Sequence, residues 1–136
     1  RLTQLREEMA RRGIDALLVQ AAAPGRGARD DSGDGRFASA DVWERIARTT
    51  AQLYGIYVAL CNRSGVEGAV TFAGGSLVAG PDGSILARAG DRGEEVLSVE
   101  LTRGALRAAR RPYSHERDDD PGLVMRELAR GLAEGP

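Results

Sequence analysis

The first half of the chain alternates between apolar runs and a helical pattern. Residues 14–20 and 56–60 are short and almost continuously apolar, which is typical of strands buried in a sheet. Between them, apolar positions recur at the spacing of one helical face, at Val42, Trp43, Ile46, Thr50 and Leu53. Ser39 is predicted to cap this helix and Gly55 to end it. Strand, helix and strand in this order predict two neighbouring parallel strands joined by a crossover.

Helical patterns are also present near both ends of the chain. Leu2, Leu5 and Met9 lie on one face of a predicted amphipathic helix that Gly13 ends. Near the other end, the apolar positions from Val124 to Leu132 follow the same spacing. Both patterns predict helices with one apolar face, which must pack against another element.

The region after Asn62 has the pattern of short strands separated by glycine. Four strands are predicted there, at Val70–Phe72, Ser76–Ala79, Ile85–Arg88 and Glu94–Leu101. The tripeptide Pro81-Asp82-Gly83 is predicted to turn a hairpin, because proline presets φ and glycine tolerates positive φ. Thr102 can cap a further helix that runs through Arg110. The whole pattern predicts an α/β or α+β fold in which helices pack on a sheet.

Composition narrows the class of protein. A chain of 136 residues is the size of one domain, and 42% apolar with 29% charged residues is ordinary for a globular protein. The apolar runs are far shorter than the roughly 20 residues of a membrane helix, and the first residues are too charged for a signal peptide. Because 19 basic residues balance 20 acidic ones, the net charge of −1 gives no electrostatic case for nucleic acid. Neither a membrane nor a nucleic acid is therefore expected as a partner.

Cysteine usage predicts a reducing compartment. Cys61 is the only cysteine, so an internal disulfide is excluded, and we expect the protein to be cytoplasmic. Because Cys61 follows an apolar strand, it is expected to be a small buried side chain rather than a nucleophile. All the basic residues are arginine, so the chain contains no lysine.

One loop has the spacing of a calcium site. Asp30, Ser32, Asp34 and Asp41 fall on ligand positions of an EF-hand loop. No helix precedes this loop, since Pro24 and two glycines do, and aspartate at the last position has a shorter reach than the usual glutamate. A solvated loop is therefore favoured, and neither a metal nor a cofactor is predicted.

Several segments together resemble the nitrilase, or carbon–nitrogen hydrolase, superfamily. Residues 57–68 resemble the family's V-x-x-x-N-R-x-G-x-E segment. Residues 72–76 and 81–87 are similar to its F-x-G-G-S and P-D-G-x-x-L-A motifs, and the pair at 94–95 also fits. Upstream, residues 13–24 look like the segment that follows the strand of the nucleophile. The motifs keep the family's order and spacing over nearly the whole chain.

The resemblance implies both a fold and a place within it. The family fold is a four-layer α-β-β-α sandwich, and residues 1–136 look like its C-terminal half. Residues 1–111 would be the sandwich portion, and residues 112–136 a C-terminal tail and helix. The N-terminal half is expected to lie upstream of Arg1, in a longer protein, and to be the main partner of this chain. A homodimer or higher oligomer is also implied by the family.

The resemblance further implies hydrolysis of non-peptide C–N bonds in small amides, N-carbamoyl compounds or nitriles. The family uses a cysteine nucleophile, a glutamate base and a lysine that stabilises the tetrahedral intermediate, which is sound chemistry for a thiol. This chain has no lysine, and its cysteine is outside the family's nucleophile segment. No catalytic residue is therefore expected in it, and all three should lie upstream.

The substrate pocket is predicted at the carboxyl ends of the two parallel strands, where ligands bind in α/β sheets. The candidate residues are Ala22, Ala23, Pro24, Asn62, Glu67 and Phe72. The Asn62 amide can donate and accept, so it is expected to tie loop backbone together. For Glu67, contact with the substrate and a buried ion pair with an arginine are both possible, and the ion pair is favoured.

A different class of function is also compatible with the chain. The chain could be a degenerate nitrilase-like module that binds or scaffolds without catalysis. The upstream sequence discriminates between the two hypotheses, because only the enzyme needs a glutamate, a lysine and a cysteine there.

Overall fold

The structure is a computed structural model, and it describes residues 12–27, 36–111 and 120–134. Within these ranges the chain forms six strands and three helices. The strands are β1 (Ala16–Ala21), β2 (Tyr57–Asn62), β3 (Ser64–Glu67), β4 (Val70–Ala73), β5 (Leu77–Ala79) and β6 (Ile85–Arg88). The helices are α1 (Ala38–Tyr54), α2 (Arg103–Arg110) and α3 (Pro121–Glu134).

Four of the strands form one mixed sheet in the order β1-β2-β5-β6. Strands β1 and β2 are parallel, as predicted, with Ala16 opposite Tyr57 and Ala21 opposite Asn62. Strands β5 and β6 form the predicted hairpin, and β5 pairs antiparallel with β2. Strands β3 and β4 form a separate two-stranded antiparallel sheet. The glycine-punctuated region therefore supplies half of the main sheet and a second hairpin.

The hydrophobic core lies between α1 and one face of the main sheet. Ala47 and Ala51 of the helix pack with Val58, Leu60 and Leu77 of the strands. The small alanine side chains let the helix approach the larger strand residues closely. Trp43 and Tyr54 of α1 are partly buried at the margin of this core. Gly55 ends α1 in the left-handed conformation, with φ of 57°, as the sequence indicates.

The opposite face of the main sheet is largely open among the described residues. The row Val19, Leu60 and Leu77 belongs to the core, so the adjacent row on the other face contains Leu18, Ala59 and Val78. Leu18 is 77% exposed. The prediction of a buried first strand is therefore wrong within the described residues, because α1 covers only one face of the sheet.

The structure corrects two further predictions and adds one strand that was not predicted. Residues 94–101 do not form a strand, although Leu97 and Val99 are less exposed than their neighbours, because no strand of the described residues forms a ladder with them. Strand β3 was not expected, since Gly65 weakens its strand pattern. Ser39 does not cap α1: the cap position is Phe37, without a side-chain cap bond, and Ser39 is in the first turn.

The helices in the second half agree with the sequence pattern. The Thr102 side chain accepts a hydrogen bond from the Ala105 N–H at the start of α2, as expected. Helix α3 encloses the predicted range at 124–132. The predicted N-terminal helix with Leu2, Leu5 and Met9 lies outside the described residues, and so do Asp30, Ser32 and Asp34. None of the described helices is long and apolar enough to cross a membrane.

Candidate active-site edge

The carboxyl ends of β1 and β2 bring the predicted pocket segments to one edge of the sheet. Because the strands are parallel and Ala21 is opposite Asn62, the segment after β1 and the segment after β2 leave the sheet side by side. A hydrogen bond from the Arg63 N–H to the Ala21 carbonyl, 2.9 Å long, joins the two chain segments where they leave the sheet. This is the edge at which ligands bind in α/β sheets.

The Asn62 side chain joins three parts of this edge. It is 6% exposed, and it is the buried polar residue within the described ranges. Its Oδ1 accepts a bond from the Ala23 N–H at 2.9 Å, and its Nδ2 donates to the Gly74 carbonyl at 2.7 Å. The amide therefore ties the segment after β1 to the segment after β4, as the sequence suggests, and its burial is compensated by both bonds.

Ser76 holds the backbone of Asn62 itself. Its hydroxyl accepts a bond from the Asn62 N–H at 2.9 Å and donates one to the Asn62 carbonyl at 3.1 Å. Ser76 was not among the predicted site residues, although it is the serine of the F-x-G-G-S motif. The position of Ser76 at the end of this motif is the sequence signal that could have identified it as a site residue.

The segment 22–26 lies against the β3–β4 hairpin. Pro24 forms a bridge with Phe72. The Ala73 N–H donates to the Ala23 carbonyl at 2.9 Å, and the Gly25 N–H donates to the Thr71 carbonyl at 2.7 Å. Four of the predicted pocket residues, Ala23, Pro24, Asn62 and Phe72, are thus adjacent to one another. Ala22 is exposed beside them.

The first turn of α1 holds the other side of the same segment. The Ser39 hydroxyl accepts a bond from the Arg26 N–H at 2.9 Å and donates one to the Pro24 carbonyl at 3.1 Å. The Ser39 N–H donates to the Arg26 carbonyl at 3.1 Å. The Phe37 ring lies directly over Gly25, where any Cβ atom would collide with it. Sequence reasoning missed these contacts because Ser39 fits the simpler pattern of a helix cap.

Glu67 lies at the exposed end of the hairpin rather than in a buried ion pair. Its carboxylate is 2.6 Å from Arg63 Nη1, and the two side chains are 63% and 49% exposed. The predicted ion pair of Glu67 with an arginine is confirmed in the described structure, whereas the predicted burial of this pair is wrong. The Arg63 guanidinium also stacks 4.6 Å from the centre of the Phe72 ring. One face of Phe72 is therefore covered by a cation.

Cys61 does not occupy a buried position. It is exposed, on the opposite face of β2 from Asn62. The expectation of a buried small side chain is wrong for this chain, because the face of the sheet that carries Cys61 is the open one.

A cavity of about 530 Å³ lies at the other end of the sheet. Tyr57, at the start of β2, lines it, together with Leu86 and the alanines of α2. The five residue steps from Tyr57 to Asn62 separate this cavity from the candidate edge by about 17 Å along the strand. The Tyr57 hydroxyl is already bonded to the backbone of Thr102, which leaves mostly apolar walls. The residues that line this cavity include no cysteine, histidine or lysine.

The described ranges contain no cluster of three or more His, Cys, Asp or Glu residues that could hold a metal ion. Asp41, the last position of the EF-hand-like spacing, is 3.4 Å from Arg36. An arginine beside a carboxylate competes with a cation for its oxygen atoms.

Comparison with known proteins shows the family. Residues 3–111 match the family described as carbon-nitrogen hydrolase, and the chain therefore belongs to the carbon–nitrogen hydrolase family. It is 31% identical over 123 residues to an N-carbamoylputrescine amidase of Solanum tuberosum, with 85% of this chain and 39% of that protein covered. The chain spans about two fifths of the length of this relative.

Solved structures agree with the family assignment. The carbon-nitrogen hydrolase of Helicobacter pylori G27 is 30% identical, with a TM-score of 0.71, over 90% of this chain and 43% of that one. Nit3 of Saccharomyces cerevisiae, a member of the nitrilase superfamily, is 26% identical with a TM-score of 0.61, over 80% and 36% of the two chains. The helix and sheet layers described above thus form part of a nitrilase-type fold.

Proposed function

We propose that this chain is the C-terminal half of a carbon–nitrogen hydrolase domain that cleaves non-peptide C–N bonds. The observation that carries the proposal is the meeting of the family's motifs at one edge of the sheet. The segment 22–24, Asn62 and Phe72 converge there through the Asn62 amide. In this proposal the chain supplies one wall of the pocket. The cysteine, glutamate and lysine of the family's thiol mechanism lie upstream of Arg1.

The open face of the main sheet supports the N-terminal half as a partner. Leu18 and Cys61 are exposed on that face, whereas the other face is packed under α1. Burial of a leucine side chain contributes roughly 1.5–3 kcal/mol, so an uncovered sheet face favours association with another layer. In a four-layer sandwich that layer is the second sheet. We expect residues 94–101, which pair with no strand within the described ranges, to form a strand against this layer.

We also propose that the complete protein forms a homodimer or higher oligomer. Helix α1 has an exposed apolar ridge, opposite its buried alanines, formed by Val42, Ile46 and Leu53 at 44–50% exposure. Such a ridge is typical of a helix that packs against another subunit. A cytoplasmic location fits the single cysteine.

The proposed substrates are small amides, N-carbamoyl compounds or nitriles. The potato relative, named as an N-carbamoylputrescine amidase, favours N-carbamoyl amines as the first class to test. Their hydrolysis consumes one water and releases the amine, ammonia and carbon dioxide. The thiolate attacks the carbamoyl carbon, and the C–N bond to the amine breaks as the leaving amine takes a proton from the protonated base. Water then hydrolyses the carbamoyl thioester, which frees the thiol and gives carbamate, the source of the ammonia and carbon dioxide.

The proposal is tested by ammonia release from the complete protein with an N-carbamoyl amine, a simple amide and a nitrile. Turnover of at least one class is expected, together with inactivation by iodoacetamide. The variant Cys61→Ala should keep its activity and remain sensitive to iodoacetamide, because the reactive thiol lies upstream. Loss of turnover in a Cys61→Ala protein with an unchanged melting curve would make Cys61 the nucleophile. A complete protein with no turnover of any class would favour the non-catalytic module.

A further inference from the structure

The segment 22–26 is held from two sides. The hairpin and Asn62 bond to its first part, through the amide hydrogen and the carbonyl of Ala23. The first turn of α1 bonds to its second part, through Ser39. The proposed pocket wall, residues 22–26, is therefore held between β4 and α1. We call the contacts that hold it the clamp.

The Ser39 hydroxyl both accepts a hydrogen bond from the backbone of this segment and donates one to it. It accepts from the Arg26 N–H and donates to the Pro24 carbonyl, two residues apart. Its own N–H adds a third bond, to the Arg26 carbonyl. Three bonds from one residue fix the direction of the Pro24–Arg26 backbone relative to α1. This use of the hydroxyl is unusual for the first turn of a helix, where serine ordinarily bonds to the helix backbone.

The Phe37 ring strengthens the same clamp. It covers Gly25 so closely that an added Cβ would overlap three ring atoms. Similarly, a Cβ on Gly27 would lie 2.7 Å from the Ala38 Cβ. The two glycines let the wall segment and the start of α1 approach each other more closely than residues with side chains would allow.

From these contacts we infer that Ser39 is a positioning residue for hydrolysis, acting through the backbone of Pro24–Arg26. The inference rests on the proposed function, because the wall matters for rate only if the pocket binds the substrate. A displacement of a pocket wall by about 1 Å can cost 100-fold in rate, since the reacting groups must be held at attack distance. Ser39 does not touch the substrate in this account, and so it is not a catalytic residue.

The test compares two serine-to-alanine substitutions in the complete protein. Ser39→Ala removes the hydroxyl from the clamp. Ser84→Ala is the matched control, because the Ser84 hydroxyl bonds to Asp82 in the β5–β6 turn at the other end of the sheet. We expect kcat/KM to fall at least tenfold in Ser39→Ala and to change less than twofold in Ser84→Ala. The melting temperatures of the two variants should agree within about 2 °C. Ser39→Thr, which keeps a hydroxyl, should recover most of the activity.

A second measurement does not depend on turnover. Hydrogen exchange of the amides in residues 22–27 of the complete protein should become at least fivefold faster in Ser39→Ala and remain unchanged in Ser84→Ala. Equal kinetics of the two variants, or unchanged exchange in Ser39→Ala, would overturn the inference. A wild-type protein with no turnover but with the expected exchange would refute the proposed function and leave the clamp itself established. If Ser39→Ala does not fold, Gly25→Ala disturbs the same clamp, and it should show the same loss of kcat/KM.

Discussion

Two connecting segments of the main sheet are held in place in different ways. The segment 22–26, after β1, is bonded by Ser39 and Asn62, which are 13–39 positions away from their partners in the chain. The turn 80–84, between β5 and β6, is bonded mostly within itself. The Gly83 N–H donates to the Gly80 carbonyl at 2.8 Å, and the Asp82 carboxylate accepts from the Ser84 N–H at 3.0 Å. Arg48 adds one distant bond, 2.9 Å from its Nε to the Gly83 carbonyl.

This difference separates a simple connection between strands from the segment that we propose as a pocket wall. The turn needs only its own residues, so a local sequence pattern is sufficient to specify it. The segment 22–26 takes its path from helix α1, from β2 and from the hairpin. A segment whose geometry depends on several elements can be positioned precisely relative to all of them, which is what a pocket wall requires.

The largest expected effect is at Asn62. Asn62→Ala removes the bonds to the Ala23 N–H and the Gly74 carbonyl and leaves both groups buried without that partner. We expect a loss of about 3 kcal/mol in the free energy of unfolding, since each unsatisfied buried group costs about 1–3 kcal/mol. Asp82→Ala, in the exposed turn, should cost less than about 1 kcal/mol. Urea unfolding of the two variants in the complete protein measures both values, and equal losses would remove the distinction between the segments.

The next largest effect is expected at Gly25. Gly25→Ala places a methyl group against the Phe37 ring and should destabilise the protein by about 2 kcal/mol, the usual cost of overpacking. The added cost should fall below about 0.5 kcal/mol in a Phe37→Ala background, because the obstacle is then absent. A double-mutant cycle by thermal unfolding measures this coupling. Additive effects of the two substitutions would show that the ring does not determine the packing at Gly25.

A smaller effect is expected at Glu67. Since the Glu67–Arg63 pair is largely exposed, Glu67→Gln should change the free energy of unfolding by about 0.5 kcal/mol, as is usual for surface ion pairs. The value of kcat should remain within twofold of the wild type. A tenfold fall in kcat, equivalent to about 1.4 kcal/mol of barrier, in a protein of normal stability would instead place Glu67 against the substrate.

The smallest effect is expected in the turn. The Ser84 hydroxyl, followed by the Ser84 backbone N–H, lowers the pKa of Asp82 below its ordinary value by bonding to the carboxylate. Because the folded pKa is the lower one, the stabilisation is present above the unfolded pKa and is lost as pH falls through the folded pKa. Ser84→Ala should therefore raise the pKa of Asp82 and weaken this acid dependence. A carboxyl-carbon NMR titration measures the shift, and an unchanged pKa would show that the hydroxyl does not cause it.

The same contrast explains how much the sequence could predict. The hairpin at Pro81-Asp82-Gly83, the end of α1 at Gly55 and the cap at Thr102 depend on local chemistry, and all three were correctly predicted. The parallel pairing of β1 and β2 followed from the strand–helix–strand order. These features need no knowledge of distant contacts.

The errors concern residues whose environment is set by other elements. Ser39 has the residue type and position of a helix cap. Its hydroxyl instead bonds to the backbone of Pro24 and Arg26, which the tertiary fold brings close to it. Residues 94–101 have a strand pattern, but a strand needs a neighbour to form its ladder. Cys61 follows the predicted apolar strand and lies within β2, and its exposure depends on whether a second layer covers that face of the sheet.

The residues around the proposed pocket include both correct predictions and residues that were missed. Asn62 was assigned to tie loop backbone together because an amide both donates and accepts, and the structure places it in that role. Ser76 was missed although it belongs to a recognised motif, and Ser39 was missed because it fits the pattern of a helix cap. In neither case does the sequence identify the distant partner of the hydroxyl. The residues that hold the proposed pocket wall are thus harder to predict than the residues of the wall itself.

The most direct test of the account is the turnover of an N-carbamoyl amine by residues 1–136 alone, by the upstream half alone and by the two mixed. No ammonia release is expected from either half by itself, and measurable release is expected from the mixture or from the complete protein. The reason is that this chain contains no lysine, and that in the proposed function it supplies a pocket wall while the nucleophile, base and lysine lie upstream. Turnover by residues 1–136 alone would contradict the account, and so would full activity of the upstream half without them.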